Sequence, residues 1–167
     1  MALISILLNH GVDITLGTPQ ALSPLHWLAT NPENNVGMIN TLLRGREHLV
    51  NDRIANDYVA DPTWRGETPL MRAVDAMVWV DTHGGSEADR NNILANARAL
   101  LENGADVEAR YPGPGGNTIL ARAQLHSPRM YALFNEYGTQ AERKQAVVGA
   151  ALPDSTVLAD VITSYEK

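Results

Sequence analysis

Histidines are the residues of this sequence best suited to acid–base or metal chemistry, and they are scattered along it. The five are His10, His26, His48, His83 and His126. None belongs to a His-Glu-x-x-His motif, and no Gly-x-Ser-x-Gly or paired-carboxylate motif accompanies them. The absence of cysteine excludes disulfides, thiolate metal sites and a cysteine nucleophile together. The sequence therefore predicts no catalytic residue and no enzyme activity.

Two further segments contain residue types that bind metals or phosphates. One lies between residues 75 and 92 and contains Asp81, His83, Glu87 and Asp89. These four lack the spacing that brings metal ligands together on one element, so the segment is interpreted as a solvated loop with a buried Trp79. The apolar run at residues 77–80 is expected either to prolong the first helix or to pack onto the array. The run at residues 113–118, Gly-Pro-Gly-Gly-Asn-Thr, lacks the Gly-Lys-[Ser/Thr] ending of a phosphate loop and is interpreted as a turn. No metal and no cofactor are expected.

The composition favours a helical protein without nucleic-acid partners. Of the 167 residues, 44% are hydrophobic and only 5% aromatic, which suits closely packed helices with a core of Leu, Ala, Val and Ile. A formal net charge of −6 disfavours binding to a phosphate backbone. The apolar run at residues 3–8 is too short to cross a membrane. We expect an intracellular, cytoplasmic protein with no nucleic-acid or membrane partner, and a nuclear location stays open.

One pattern recurs along the chain: a glycine ends an apolar segment, and a Ser/Thr-[Pro/Ile]-Leu triplet follows. The glycines are Gly11, Gly45, Gly104 and Gly138. The triplets begin at Ser23, Thr68 and Thr118. Repetition of a short helical unit indicates a solenoid, in which each repeat packs only on its neighbours.

The run Leu-Leu-Glu-Asn-Gly-Ala-Asp-Val-Glu-Ala at residues 100–109, together with the triplets, resembles the ankyrin repeat family. The family unit is a β-turn with two antiparallel helices, a period of about 33 residues and the signature T-P-L-H-x-A. Its glycine precedes the next triplet by about 12 positions, and the triplet precedes the next glycine by about 21. The matching intervals are Gly11 to Ser23 at 12, Ser23 to Gly45 at 22 and Thr118 to Gly138 at 20. The resemblance covers roughly residues 1–139. It implies an all-α, ankyrin-type solenoid of helix-turn-helix repeats with short β-hairpin fingers and C-terminal capping helices.

Longer intervals indicate insertions at the connections. Gly45 to Thr68 spans 23 positions, an excess of about 11 in the finger between two repeats. Thr68 to Gly104 spans 36 positions, an excess of about 15 between the two helices of one repeat. Solenoids tolerate such insertions because loops do not disturb the stacking of neighbours. The resulting boundaries are a half repeat at 1–15, repeats at about 16–48, 49–107 and 108–139, and a C-terminal helical cap at 140–167.

Individual residues have predicted roles in shaping the repeats. Ser23 and Thr68 are expected to cap first helices, each before a proline at the first helical position. The pair Ser86 and Asp89 marks the start of a long second helix. The four glycines are expected to end helices in the left-handed conformation. Small residues are expected where paired helices approach closely, at Ala29, Ala73 and Ala123. At the signature position of His26, the resemblance implies a structural hydrogen bond to the backbone between neighbouring repeats.

Both ends depart from the family pattern. The first unit is only a second helix at residues 3–10, which favours a fragment of a longer array over an abbreviated cap. Self-association through this uncovered N-terminal helix is a further candidate interaction. At the other end, a capping box at residues 139–142 predicts a helix through about residue 151, and Asp154 predicts a final helix through about residue 165.

The resemblance implies a partner-binding face made of the finger tips and the exposed side of each first helix. One column on that face comes from the second residue after each triplet leucine: Trp27, Arg72 and Arg122. The other candidates lie on the fingers: Tyr58, Trp64, Arg65, Glu67, Tyr111 and Asn117. Trp and Arg are enriched among interface hot spots. In the alternative interpretation Trp27 packs between helices, Trp64 packs against a finger, and the arginines pair with neighbouring carboxylates.

The sequence thus predicts a protein–protein interaction module that binds another protein through its concave face and extended finger. The alternative is a regulatory or targeting segment of a larger enzyme or multidomain protein, or a small site in the inserted loops. The repeat pattern and the lack of catalytic motifs favour the interaction module. The identity of the partner does not follow from the fold.

Overall fold

The computed structural model describes residues 10, 22–54 and 64–138, and this part of the chain is all-α. Its α-helices are α1 (Pro24–Thr30), α2 (Val36–Leu43), α3 (Pro69–Thr82), α4 (Glu87–Glu102) and α5 (Ile119–His126), with a 3-10 helix at Glu47–Asn51. Residues 128–138 are also helical. No strand forms within the described ranges, where Arg110 and Thr118 make an isolated antiparallel bridge. The predicted all-α class is confirmed to that extent.

The chain divides into two compact units, Met1–Phe134 and Asn135–Lys167. Several predictions concern residues outside the described ranges: the N-terminal helix, Gly11, Tyr58 and the C-terminal cap. In the second unit, residues 135–138 are helical. Gly138 does not have a positive φ, so its predicted left-handed conformation is wrong.

Three helices begin at a hydroxyl side chain that accepts a hydrogen bond from the amide three residues later. The distances are 3.4 Å at Thr68, 3.1 Å at Ser86 and 3.1 Å at Thr118. The cap predicted at Thr68 and the helix start predicted at Ser86 are confirmed. The cap predicted at Ser23 is wrong, because its Oγ lies 2.7 Å from Nδ1 of His26 and makes no capping bond.

Helix α4 ends as the glycine pattern predicted. Gly104 has a φ of 90°, its amide donates to the carbonyl of Leu101 at 3.0 Å, and the next amide, of Ala105, donates to Leu100 at 3.0 Å. This pair of bonds is the Schellman arrangement, which requires a left-handed residue and so favours glycine. Gly45, after α2, also has a positive φ, of 71°.

Most of the insertion expected between residues 75 and 92 is helical, and residues 83–86 form the turn between α3 and α4. Helix α3 has 14 residues against 7 in α1, and α4 has 16 against 8 in α2, so longer helices contain the extra residues. The prediction of a solvated loop is wrong for residues 75–82, where the buried Met77 and Val80 continue α3, and it agrees with the exposed turn that follows. Trp79 is 61% exposed, so its predicted burial is wrong.

The helices of the first unit form two rows. Helix α3 packs between α1 and α5 in one row, while α2 packs on α4 in the other, and α3 and α4 join the rows. The three alanines predicted at close helix approaches, Ala29, Ala73 and Ala123, are fully buried. Their small side chains let neighbouring helices pack closely, as expected.

Two buried polar side chains connect elements that are distant in sequence. His26 Nε2 lies 3.1 Å from the carbonyl oxygen of Glu67, to which it donates while Nδ1 accepts from the Ser23 hydroxyl. This confirms the structural bond predicted for His26. Burial lowers the pKa of His26 to about 4, so the ring is neutral at physiological pH.

The second of these side chains, Asn96 on α4, was not singled out from the sequence. Its amide nitrogen donates to the carbonyls of Leu28, Asn31 and Glu33 at 2.9 to 3.2 Å, and its oxygen accepts from the Asn35 amide at 2.9 Å. These bonds pair backbone groups of the turn between α1 and α2, and two of these groups, the Leu28 carbonyl and the Asn35 amide, are buried and need such partners. Asn96 thereby fixes that turn onto α4.

Candidate functional site

A groove of about 770 Å³ lies in the first unit, between the residues that precede α3 and α5 and the exposed side of α3. Six of the nine predicted site residues line it: Trp64, Glu67, Arg72, Tyr111, Asn117 and Arg122. Asp75, Trp79 and the prolines at positions 32, 112 and 114 also line this aromatic groove. Its volume is within the range typical of ligand-binding clefts.

Arg72 connects two of the groove residues. Its guanidinium carbon lies 4.2 Å from the centre of the Trp64 ring, and its Nη1 donates to Glu67 Oε2 at 3.2 Å. The side chains of Arg72 and Glu67 are only 13% and 7% exposed, so this ion pair is largely removed from water. A stacked, ion-paired arginine holds the Trp64 ring in one orientation.

Arg122, on α5, also stacks on an aromatic ring and pairs with a carboxylate. Its guanidinium carbon lies 4.6 Å from the centre of the Tyr111 ring, and its Nε donates to Asp75 Oδ1 at 2.8 Å. The Tyr111 hydroxyl lies 3.1 Å from the carbonyl of Met71 and 3.4 Å from Asp75 Oδ1. Burial raises the pKa of Tyr111, and the charge of Asp75 raises it further, so the hydroxyl stays protonated and donates.

The four charged residues of the groove form two ion pairs. Burial raises the pKa of the Glu67 carboxyl and Asp75 raises it further, while Arg72 acts in the opposite direction. In the other pair, the opposite charges of Arg122 and Asp75 neutralise each other. The arginines therefore pair with neighbouring carboxylates, as the alternative interpretation stated, and they also line the groove.

Backbone hydrogen bonds join residues in each of the two segments that precede α3 and α5. The amide of Ile54 donates to the carbonyl of Glu67 at 2.9 Å, and the Tyr111 amide donates to the carbonyl of Asn117 at 3.0 Å. Arg53 connects the two, because its Nη1 donates to the carbonyl of Gly66 and, at 3.3 Å, to that of Arg110. These bonds place Trp64 and Tyr111 along the same groove.

Trp79 is a groove residue that the sequence analysis assigned to a buried position. Its ring stacks on His83 with centroids 4.7 Å apart and an interplanar angle of 14°. His83 Nδ1 lies 2.9 Å from the carbonyl of Trp79, which fixes the imidazole over the indole. The spacing of four residues on one helix is the signal that places these rings together. This spacing predicts the ring contact only if α3 is known to continue past residue 75.

Three predicted site residues fall elsewhere. Trp27 is 52% exposed on α1 and does not line the groove, so its proposed packing between helices is wrong. Arg65 is exposed outside the groove lining, and Tyr58 lies beyond the described ranges.

The segment considered as a metal candidate contains residues that pair with other groups: Asp81 pairs with Arg90 at 2.7 Å. Glu87 pairs with Arg129, and Asp89 accepts from the Ser86 amide. Within the described ranges no three such ligands meet.

Comparisons of the chain with protein-family models, with curated proteins and with solved structures give no match. The functional inference therefore rests on the geometry of the aromatic groove. Among the helices that the structure describes, none is both long enough and apolar enough to cross a membrane.

Proposed function

We propose that this chain is an ankyrin-type solenoid that acts as a protein–protein interaction module. The two rows of helices support the proposal, since α1, α3 and α5 occupy the positions of first helices and α2 and α4 those of second helices. The paired backbone bonds before α3 and α5 support the finger assignment. The partner in this proposal is another protein, and the aromatic groove is the surface that binds it.

The observation that carries the proposal is the exposure of Trp79 within an ordered aromatic groove. A tryptophan that is 61% exposed, yet held in place by the imidazole of His83, presents a large apolar area in a fixed orientation. Binding a partner to such a ring loses little conformational entropy, because the side chain is already ordered. Trp and Tyr anchors in pockets are typical of interface hot spots.

The ion pairs support an interaction site more than a catalytic one. Each carboxylate faces a guanidinium at 2.8 to 3.2 Å, so neither is a free general base. Each arginine also stacks on a ring, which orients the aromatic surface that a partner would contact. The charged residues thus position the rings, and the rings provide the apolar contact area.

Site-specific photo-crosslinking tests the proposal. A benzoylphenylalanine replaces Trp79 in the full chain, and a second variant carries the same residue in place of Leu125, which is 66% exposed on α5 and does not line the groove. Both are irradiated in lysate of the source cells, and adducts are identified by mass spectrometry. We expect a protein adduct from position 79 that is absent from position 125.

Two results would contradict the proposal. Adducts from position 125 but not from position 79 would assign binding to another face. No adduct from position 79, nor from benzoylphenylalanine in place of the groove residue Pro114 with Trp79 intact, would remove the groove as a partner site if the variants are shown to be folded by circular dichroism.

A further inference from the structure

The aromatic rings of the groove share one feature: a nitrogen-containing side chain covers a face of each. The pairs are Trp64 with Arg72, Tyr111 with Arg122, and Trp79 with His83. Three ordered rings in one groove provide flat apolar surfaces at fixed positions. Ligands that complement flat rings are themselves rigid and ring-like, and proline is the amino acid with those properties.

The groove also offers hydrogen-bond donors that nothing in the described part of the chain uses. The indole N–H groups of Trp64 and Trp79 and the side-chain amide of Asn117 have no partner there, and all three residues line the groove. A polyproline II segment makes no internal hydrogen bonds, so its carbonyl oxygens are free to accept. Donors beside ring faces match the alternation of carbonyls and pyrrolidine rings in such a segment.

Charge and backbone pairing disfavour other peptide classes. The groove contains two carboxylates and two guanidiniums that pair with each other, so no isolated charge selects an acidic or a basic ligand.

Binding of a peptide as an added β-strand needs an unpaired backbone edge. Below both fingers, the amides of Ile54 and Tyr111 are already bonded to Glu67 and Asn117.

We infer that the aromatic groove binds an extended, proline-rich segment of the partner protein in the polyproline II conformation. The inference rests on the proposed function and specifies the chemistry of the partner. Recognition of proline-rich segments by aromatic-lined grooves is an established physical solution, because the preformed helix loses little entropy on binding. Trp79 and Trp64 provide ring faces and donors, and Asn117 provides a further donor.

The test titrates four blocked decapeptides of equal length into the full chain: oligoproline, Gly-Ser repeats, a glutamate-rich sequence and a lysine-rich sequence. The readout is the indole N–H signals of the three tryptophans in two-dimensional NMR, assigned with single Trp→Phe variants. We expect the oligoproline peptide to shift the signals of Trp64 and Trp79 and to leave that of Trp27 unchanged. The other three peptides should shift none of them.

Variants then separate the groove from the rest of the surface. We expect Trp79→Ala to weaken oligoproline binding by about tenfold or more, and Asn117→Ala by about threefold. Trp27→Ala is the matched control, because Trp27 is also an exposed tryptophan on a first helix but lies outside the groove lining. It should change the affinity by less than about twofold. Both Trp79 and Asn117 are exposed, so these substitutions leave the fold intact.

The outcomes distinguish this inference from the proposed function. Failure of oligoproline to shift the Trp64 and Trp79 signals at millimolar concentration overturns the inference, as does equal weakening by Trp27→Ala. If a charged peptide shifts those two signals instead, the groove is a peptide site of another specificity and the proposed function stands. If no peptide shifts them and neither position 79 nor position 114 gives a crosslink, both proposals fail.

Discussion

The guanidinium of Arg72 lies 4.2 Å from the centre of the Trp64 ring while its Nη1 donates to Glu67 at 3.2 Å. One side chain thus joins an aromatic residue of the groove to a buried carboxylate just before α3. Arg122 likewise stacks on an aromatic ring, that of Tyr111, and pairs with a carboxylate, that of Asp75 on α3. Each arginine thus joins an aromatic ring of the groove to a carboxylate.

Removing Arg72 should reduce stability chiefly through Glu67. In Arg72→Leu the buried Glu67 has lost its ion-pair partner, and we expect the free energy of unfolding to fall by about 2 kcal/mol. Adding Glu67→Gln should recover about half of that loss, since no uncompensated charge then remains. Urea unfolding of the two single variants and the double variant measures the coupling. Strict additivity of the two changes would contradict this account.

Stability should decrease in mild acid because of His26. Above pH 6.5 its imidazole is neutral in both states, but between pH 6.5 and about 4 only the unfolded chain binds the proton. The free energy of unfolding should therefore fall across that window by about 3 kcal/mol from this residue. The measurement is urea unfolding at several pH values, with His26→Gln as reference. An identical pH dependence in the two proteins would show that His26 is not the cause.

Asn96 should be far more important to stability than its neighbour Asn92 on the same helix. Asn96 is fully buried and bonds four backbone groups, whereas Asn92 makes one bond, at 3.0 Å, to the carbonyl of Pro32. We expect Asn96→Ala to lower the free energy of unfolding by about 2 to 4 kcal/mol, and Asn92→Ala by less than about 1 kcal/mol. Thermal and urea unfolding check both. Similar effects at the two positions would exclude the proposed fixing of the turn by Asn96.

Gly104 should tolerate asparagine better than alanine. Its φ of 90° lies in the left-handed region, and open space surrounds the position that a Cβ would occupy, so the penalty is conformational and not a clash. We expect Gly104→Ala to lower the free energy of unfolding by about 1 to 2 kcal/mol. Gly104→Asn should lose less than half of that, because asparagine enters this region more readily. Equal losses would point to a cause other than backbone conformation.

Two substitutions of Tyr111 should distinguish an effect on stability from an effect on partner binding. Tyr111→Phe removes the bond from the hydroxyl to the Met71 carbonyl, at 3.1 Å, but keeps the ring. We expect it to lower the free energy of unfolding by about 1 kcal/mol and to leave the yield of the position-79 crosslink unchanged. Tyr111→Ala should reduce that yield strongly, because the ring and its contact with Arg122 are lost. A loss of crosslinking in Tyr111→Phe would assign the hydroxyl, and not the ring, to partner contact.

Features that depend only on neighbouring residues could be predicted from the sequence. The caps at Thr68 and Ser86 involve atoms three positions apart, and the left-handed end at Gly104 involves bonds within five positions, so local residue types suffice to predict them. The register of the triplets likewise placed Arg72 and Arg122 at equivalent positions, and both line the groove. The all-α class was implied by the resemblance to ankyrin repeats and favoured by the composition.

Contacts between residues distant in sequence depend on how the helices pack. The residue types at 77–80 left open whether this run prolongs α3 or packs onto the array, because a helical continuation depends on α4 covering the apolar face of α3. The sequence could not show that Asp75 meets Arg122, 47 positions away, or that Asn96 meets the turn after α1. Such contacts are set by which helix packs on which, since side chains distant in sequence become partners only after the backbone has brought them within hydrogen-bonding distance.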